Sequence, residues 1–442
     1  MLSAKKIAFN YATVFLLITF AFHTTLFAQT EEMKVSDDVE ALQKQLESAS
    51  FTDRDEAEKQ IIALGPDALD FIPDPSDKFE DDFNVRVTRI RKALEKVAIE
   101  RATSPTTISL SGNMSLKSAF SSIKNQTGNS IMLAEGYDPA FLDKKIDLDH
   151  KDATFWTVFA DIQARGGVQS VVYGGEPGHA IIVPAAGVDP AAVDKAVTVV
   201  PPPIDESGIF RMRVSSVSSA KNLLNPALDY TRVDLEIQWE PRLTPISIDL
   251  PMKSVKVFDV DGKELKISNP EQVLSGTVQA GVNQVEMSIA LQNVDRDVKK
   301  IGEVKGQLEC VLPGRREKFR FPTVGEIGDN PTISKAGILV QYLGFEENED
   351  LFAVNIRVAM EPGTDQLESH LGWIYDNPLF LINDAGEKIQ SVGRQGGAMG
   401  EDGLDLQFLF IENPTKFGLL YESPGAIVSV PAAFSLKGIP LP

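Results

Sequence analysis

The sequence is short of sulfur, of positive charge, of histidine and of tryptophan, and each scarcity excludes something. A single cysteine, Cys310, stands in 442 residues, so no internal disulfide can form and stability must come from apolar cores. In "QLECVLP" Leu308, Cys310 and Leu312 alternate with other residues, which turns the thiol inward on a strand as filling rather than as a nucleophile. Lys and Arg number 43 against 63 Asp and Glu, a balance that excludes nucleic acid as a partner, because phosphate binding needs clustered cations. The acidity itself serves solubility. The sequence contains no G-x-S-x-G elbow and no H-E-x-x-H pair, so the commonest hydrolytic constellations are missing. Three tryptophans, Trp156, Trp239 and Trp373, are scattered, with Trp239 in a core pattern, and they do not make a sugar-binding platform.

What is present begins with an address. Lys5 and Lys6 precede an apolar run from about Tyr11 to Phe22, polar His23 to Thr25 follow, and then "LFAQ"; this is the three-part form of a secretory signal over residues 1–28. Leu26 stands where a smaller residue is usual before a cleavage site, so an uncleaved membrane anchor is the alternative, and membrane contact is expected only in that case. Removing residues 1–28 takes away Lys5, Lys6 and no acid, so the formal charge of −20 becomes −22. No Cys follows the run to carry a lipid. The bulk is expected outside the cytoplasm, in the periplasm or at the cell surface. Roughly 410 remaining residues suggest three or four domains.

Residues 35–104 carry helical spacing. "VEALQKQL" puts Val39, Leu42 and Leu46 on one face; "TDRDEAEKQIIALGP" offers a Thr52 to Asp55 capping-box spacing and a stop at Gly65 and Pro66. A third helix around "VRVTRIRKALEKVAI" aligns Val87, Ile90, Leu94 and Val97. The acidic run "DPSDKFEDD" between them reads as a solvated loop. Together these helices resemble a single HEAT-like unit.

Residues 105–183 use one pattern twice. "TISL" leads to a helix with Leu116, Ala119, Phe120 and Ile123 inward, and "KIDL" to another with Phe155, Val158, Phe159 and Ile162 inward. Each helix meets a glycine stop and then an apolar strand, "TGNSIML" and "RGGVQSVVY", and "HAIIV" pairs with the strand before it across "GGEPG". Two β-α-β units in one small sheet, both helices on one face, are expected. The stretch "SLSGNMSLKSAFSSIKNQTGNSIML" followed by "KIDLDHKDATFWTVFADIQARGGVQSVVY" resembles the small N-terminal domain shared by secretins and TonB-dependent transducers. Leu116, Ala119, Phe120, Ile123, Gln126, Thr127 and Gly128 fall on that family's pattern, while Ser130 replaces its Asn. The resemblance implies a periplasmic protein-docking or signalling module without catalytic residues. Nothing downstream resembles a secretin pore or a TonB-dependent barrel.

A Pro-rich linker over 184–206, with Pro201 to Pro203 as a stiff spacer, separates this unit from alternating strands. "VDLEIQWEP" aligns Val233, Leu235, Ile237 and Trp239; "VNIRVAMEP" aligns Val354, Ile356, Val358 and Met360; each ends in Glu-Pro, and hairpin glycines Gly262 and Gly386 follow. "VEMSIAL" alternates in the same way. One design used twice, as two antiparallel β-sandwiches over 207–328 and 329–442, is expected. The fold class is therefore multi-domain α+β.

The candidates for chemistry are few. His150, His179 and His370 read as ordinary histidines rather than bases. Asp147, Asp149 and His150 of "DLDH" hold metal-binding atoms, but the two Asp share the wet face of a strand opposite Ile146 and Leu148. In "DVDG" a calcium-loop register centred on Gly262 puts Val257 and Ser268 at ligand positions, so Asp259 and Asp261 are turn residues. Glu240 and Glu361 recur before proline and read as strand-end structure. No catalytic residue, metal site or cofactor is expected. The sequence points to an exported, non-catalytic multi-module protein that docks to or organises other envelope or cell-surface components, with a protein partner in the envelope; the alternative is a secreted hydrolase using surface carboxylates on polysaccharide or peptide.

Overall fold

The computed structural model describes residues 34–442 except 74, 76–78, 172–177, 186–201, 222, 226–228, 277, 279–280, 293, 296, 329–330, 349–350, 361–373, 376 and 401–402. The signal segment, most of the linker, Glu361, His370 and Trp373 lie outside the described residues. Within them the protein is mixed α+β, with several sheets and no barrel.

Three helices come first: α1, described over 34–46, α2 (Phe51–Leu64) and α3 (Asp81–Thr103). Val39, Leu42, Leu46, Ile61, Val87, Ile90 and Leu94 form their common core. The α2 cap is not the expected Thr52. Ser50 takes that place, its Oγ accepting from the Asp53 N–H, because the helix starts two residues earlier than the capping-box spacing suggests. Gly65, at φ +87°, ends the helix as expected. Asp81 and Asp82 of the supposed acidic loop are the first turn of α3, where carboxylates favour the helix N-terminus, and Asp82 receives hydrogen bonds or ion pairs from Arg86 and Arg54. Beyond Leu94 the buried stripe of α3 passes to Ala98 and Ala102 rather than Val97.

The second unit contains β1 (Thr107–Ser115), α4 (Leu116–Thr127), β2 (Ser130–Leu133), β3 (Lys145–Thr154), α5 (Phe155–Gly166), β4 (Val168–Val171) and β5 (His179–Pro184). Every expected inward residue of both helices is buried. Ser115 and Thr154 cap α4 and α5, and Gly128 and Gly167 close them in the left-handed conformation. The single small sheet is corrected. β1 runs on past "TISL" and pairs only with β3, antiparallel, while β2, β5 and β4 make a separate sheet in which β2 is parallel to β5 and β4 antiparallel to it. The residues "SGNMS" carry β1 on to Ser115 along β3, whereas β2 is four residues long.

The C-terminal half repeats one plan. β6 (Ile204–Ser207), β7 (Phe210–Ala220) and β8 (Tyr230–Trp239) match β15 (Thr332–Lys335), β16 (Ile338–Asn348) and β17 (Leu351–Met360) length for length, and each longer hairpin has one register shift, at Val214/Ser216 and at Tyr342/Gly344. The remaining strands are β9 (Ser247–Pro251), β10 (Lys256–Asp259), β11 (Glu264–Leu265), β12 (Val273–Gly276), β13 (Gln284–Gln292) and β14 (Lys300–Phe321) in the first half, then β18 (Leu379–Ile382), β19 (Lys388–Gln390), β20 (Gly393–Gly400), β21 (Gly403–Phe410) and β22 (Gly418–Pro440). The β10–β11 and β18–β19 hairpins turn identically. The Asp259 carboxylate accepts from the Asp261 and Lys263 N–H groups, as the Asn383 side-chain carbonyl does from Ala385 and Glu387, with Gly262 and Gly386 at φ near +80°. β6 also shortens the expected linker, because Ile204–Ser207 is an edge strand and the Asp205 carboxylate accepts from Ser435 N–H at 2.7 Å.

The boundary at 328/329 does not separate two closed sandwiches. β14 and β22 pair antiparallel from Lys300↔Pro440 to Phe321↔Leu419. The first core contains Leu308, Cys310 and Leu312 of β14 but also Ala432, Phe434, Leu436 and Ile439 of β22; the second contains Leu419 and Tyr421 of β22 but also Phe319 and Phe321 of β14. Each two-layer unit is thus completed by the other's long strand. From Val304 onward the first-core residues of β14, Val304, Leu308, Cys310 and Leu312, have even numbers and the second-core residues, Phe319 and Phe321, odd ones, so by alternation the two cores lie on opposite faces of this part of the ribbon.

The helical unit docks on this ribbon through charge. Asp70, in the turn Pro66–Asp70, is ion-paired with Arg315 and, at 2.9 Å, with Lys318; Arg315 also donates to the Pro66 carbonyl at 3.0 Å and pairs with Glu317. Burial pushes the Glu317 carboxyl above its ordinary range despite Arg315.

Two measurements follow from the ribbon. Ending the chain at residue 426 removes Ala432, Phe434, Leu436 and Ile439 from the first core, losses of about 2–5 kcal/mol for each large side chain. Hydrogen exchange should then rise in β7, β8 and β13 while β16, β17 and β21 stay protected; the reverse pattern would contradict the crossing. For Glu317 the raised folded-state value means that its contribution is fully present below the unfolded carboxylate value of about 4.3 and is lost as pH rises through the folded one. The stability of Glu317→Gln should therefore fall less than that of the parent as pH rises from the unfolded carboxylate value of about 4.3.

A candidate docking groove and the buried junction beside it

The residues that the sequence singled out for possible chemistry are dispersed. Cys310 is fully buried in β14 opposite Val430 and Ile248, and burial pushes its thiol far above the ordinary range, which makes it inert. His150 Nε2 on β3 lies 2.9 Å from Asp161 Oδ2 on α5, and Asp161 also pairs with Arg165 at 2.6 Å, so both groups already have partners. Asp147 and Asp149 are exposed on β3 while Ile146 and Leu148 are buried, so the wet-face reading describes them. Among the described residues no three His, Cys, Asp or Glu side chains gather to hold a metal ion. Trp239 is core, with Nε1 donating to the Leu243 carbonyl. Trp156 is not the isolated aromatic that its sequence context suggests. It is 2 % exposed, its Nε1 donates to the Ile209 carbonyl at 3.2 Å, and the Arg211 guanidinium lies over its ring.

Glu240 has a structural use that the Glu-Pro pattern only hinted at. It is fully buried, and its carboxylate accepts from Thr106 N (2.8 Å), Thr106 Oγ1 (3.0 Å), Asn129 Nδ2 (3.2 Å) and Arg242 Nε (2.8 Å). Arg242 in turn donates to the carbonyls of Arg101 and Ser104 at the end of α3, and its backbone N–H donates to Asn129 Oδ1. A cation at a helix C-terminus is favoured by the helix dipole. One buried ion pair therefore ties the end of α3, the approach to β1, the end of α4 and the end of β8. Asn129 and Arg242 carried no signal in the sequence, since the contacts that join the units, Asn129 with Glu240 and Arg242 with Arg101, Ser104 and Asn129, span more than a hundred residues.

The site that remains open lies on the second unit. A groove of about 680 Å³ is bounded by α4, by β2 and by the segment from Ala134 to Leu142. Lys117, Phe120, Ser121 and Lys124 line it from α4 at helical spacing, so the helix gives its apolar face to the core and a basic shoulder to the groove. Met132 and Tyr137, each 46 % exposed, provide apolar surface, and His179 closes the lining at the start of β5. β2 is the terminal strand of its sheet, and its sequence, Ser-Ile-Met-Leu, has none of the charges or prolines that commonly blunt a strand edge. The direction of its free backbone groups follows from alternation. The Ala134 N–H donates to the Ile182 carbonyl in β5; Met132 and Ser130 share that direction, so the N–H and C=O of Ile131 and Leu133 point away from the sheet. Among the described residues neither Lys117 nor Lys124 is ion-paired.

Comparison with known proteins leaves this geometry to speak for itself. No family model matches the chain, and no curated protein matches it. A solved structure, of a conserved domain protein from Bacillus anthracis, aligns over 53% of this chain and 89% of its own at 10% identity with a TM-score of 0.16, a likeness too low to carry an argument. No helix of the described residues is long and apolar enough to cross a membrane.

Replacing Glu240 by Ala strands the buried Arg242 guanidinium, Thr106 and Asn129 at once. The cost of breaking such a pair is about 3–5 kcal/mol. Melting should show a loss of that size, with hydrogen exchange rising first in residues 105–183; exchange that rises first in β16 and β17 would show that Glu240 does not anchor this unit.

Proposed function

We propose that the chain is an exported, non-catalytic multi-module protein that docks to other components of the envelope or cell surface and holds them in fixed relation. The observation that carries this reading is the groove beside β2: a terminal strand, two exposed apolar side chains and two lysines converge there. Convergent polar groups around an apolar floor are what a binding site requires. In this reading the second unit works in the manner of the small N-terminal domain of secretins and TonB-dependent transducers that its sequence resembles. The helical unit and the two-layer β units form the frame that presents it. Glu240, one of the two acids that recur before proline, is fully buried and occupied by Thr106, Asn129 and Arg242, which supports its reading as structure rather than as a hydrolase's acid or base.

The test is photo-crosslinking capture from envelope extract with the parent, Met132→Glu and Val273→Glu, the last an exposed position on β12. A partner captured by the parent and by Val273→Glu but lost with Met132→Glu is expected. A partner set indifferent to Met132, or turnover on a panel of glycans and peptides that one acidic substitution abolishes, would displace this reading in favour of the hydrolase.

A further inference from the structure

We infer that the groove accepts a segment of a protein partner in extended conformation, rich in alternating apolar and acidic residues, as a fourth strand beside β2. This rests on the docking reading and specifies its ligand. Three independent features of the groove select such a segment.

The first is backbone geometry. Ile131 and Leu133 offer two N–H donors and two carbonyl acceptors away from β5, spaced two residues apart, and an added strand satisfies all of them, whereas a helix, whose own backbone groups are bonded internally, satisfies none. The second is the pairing of edge and helix. A strand laid along β2 runs past the α4 face that carries Lys117, Phe120, Ser121 and Lys124, so its side chains on one side meet this helix and those on the other leave it. Met132 and Tyr137 give the apolar positions of the incoming segment a surface to cover. The third is charge. Lys117 and Lys124 are exposed, without ion pairs among the described residues, and Glu135 is the one acid that lines the described groove. On a protein of net charge −20 a local excess of cations opposes the general field, and it favours encounter with an acidic segment while repelling a basic one.

The experiment is panning of a random heptapeptide display library on the purified full-chain protein and on its Lys117→Glu/Lys124→Glu variant. Both substitutions lie on the exposed face of α4, and unchanged melting of the variant verifies that it is folded. Sequences alternating apolar residues with Asp or Glu are expected from the parent. As synthetic peptides they should slow amide exchange at Ile131 and Leu133 and lose binding when alternate backbone nitrogens are methylated. The double variant should bind them about tenfold more weakly, the scale of losing two exposed ion pairs, and should itself select basic residues. No enriched sequence, enriched sequences without acids, or unaltered exchange at Ile131 and Leu133 overturns the inference. Failure of this kind with capture of an envelope partner still dependent on Met132 leaves docking standing without strand addition. Peptides that behave as expected while capture ignores Met132 remove the docking reading instead.

Discussion

The antiparallel pairing of β14 with β22 is the constraint on which the rest of the C-terminal architecture depends. A single register, unbroken from Lys300↔Pro440 to Phe321↔Leu419, fixes where each long strand leaves its own core and enters the other's. Slipping that register by one residue would turn Leu308, Cys310 and Leu312 outward and expose the apolar interior. Because neither two-layer unit has a complete facing sheet without the other, the pair is held together by main-chain hydrogen bonds and shared apolar side chains, with no disulfide involved. This is how a chain with one cysteine joins large β units firmly.

Two charged junctions then orient the N-terminal units against that body. Asp70 with Arg315 and Lys318 seats the helices on the ribbon, and Glu240 with Arg242 seats the α/β unit at the end of β8. Buried pairs of this kind add little net stability compared with apolar packing, but they are costly to break and specific in geometry. They position modules. The groove, in contrast, brings together a terminal strand, the exposed apolar atoms of Met132 and Tyr137 and, among the described residues, two lysines without ion pairs.

Local periodicity was a good guide wherever a side chain's fate depends on its neighbours in sequence. The inward faces of α4 and α5, the alternation in β8 and β17, and the turns at Gly262 and Gly386 were legible because spacing of three, four or two residues decides burial. The repeat in the C-terminal half was also readable, from "VDLEIQWEP" and "VNIRVAMEP". The crossing of β14 and β22 was not, because nothing within "QLECVLP" states which strand lies opposite; partner choice is set by contacts over a hundred residues apart. The same limit hid Asn129 and Arg242, and made Trp156 look solitary. The split of the α/β unit into two sheets escaped for a related reason: a four-residue strand such as β2 has nothing in its own sequence that states which strand it pairs with or in which direction. The groove itself was partly visible, since Lys117 and Lys124 lie on the outward side of a clearly amphipathic helix, but an unpaired strand edge has no sequence signature.

The reciprocal crossing also dictates a timetable. As the chain emerges N-terminus first, residues 204–312 have all appeared long before residues 427–440, yet the first core includes Ala432, Phe434, Leu436 and Ile439. That core must wait, apolar and incomplete, until the final strand arrives, a delay in which unsatisfied β edges invite aggregation. Assembly of that core is consequently tied to the arrival of β22, and a chain interrupted before residue 427 would carry its damage about two hundred residues upstream, in β7 and β8.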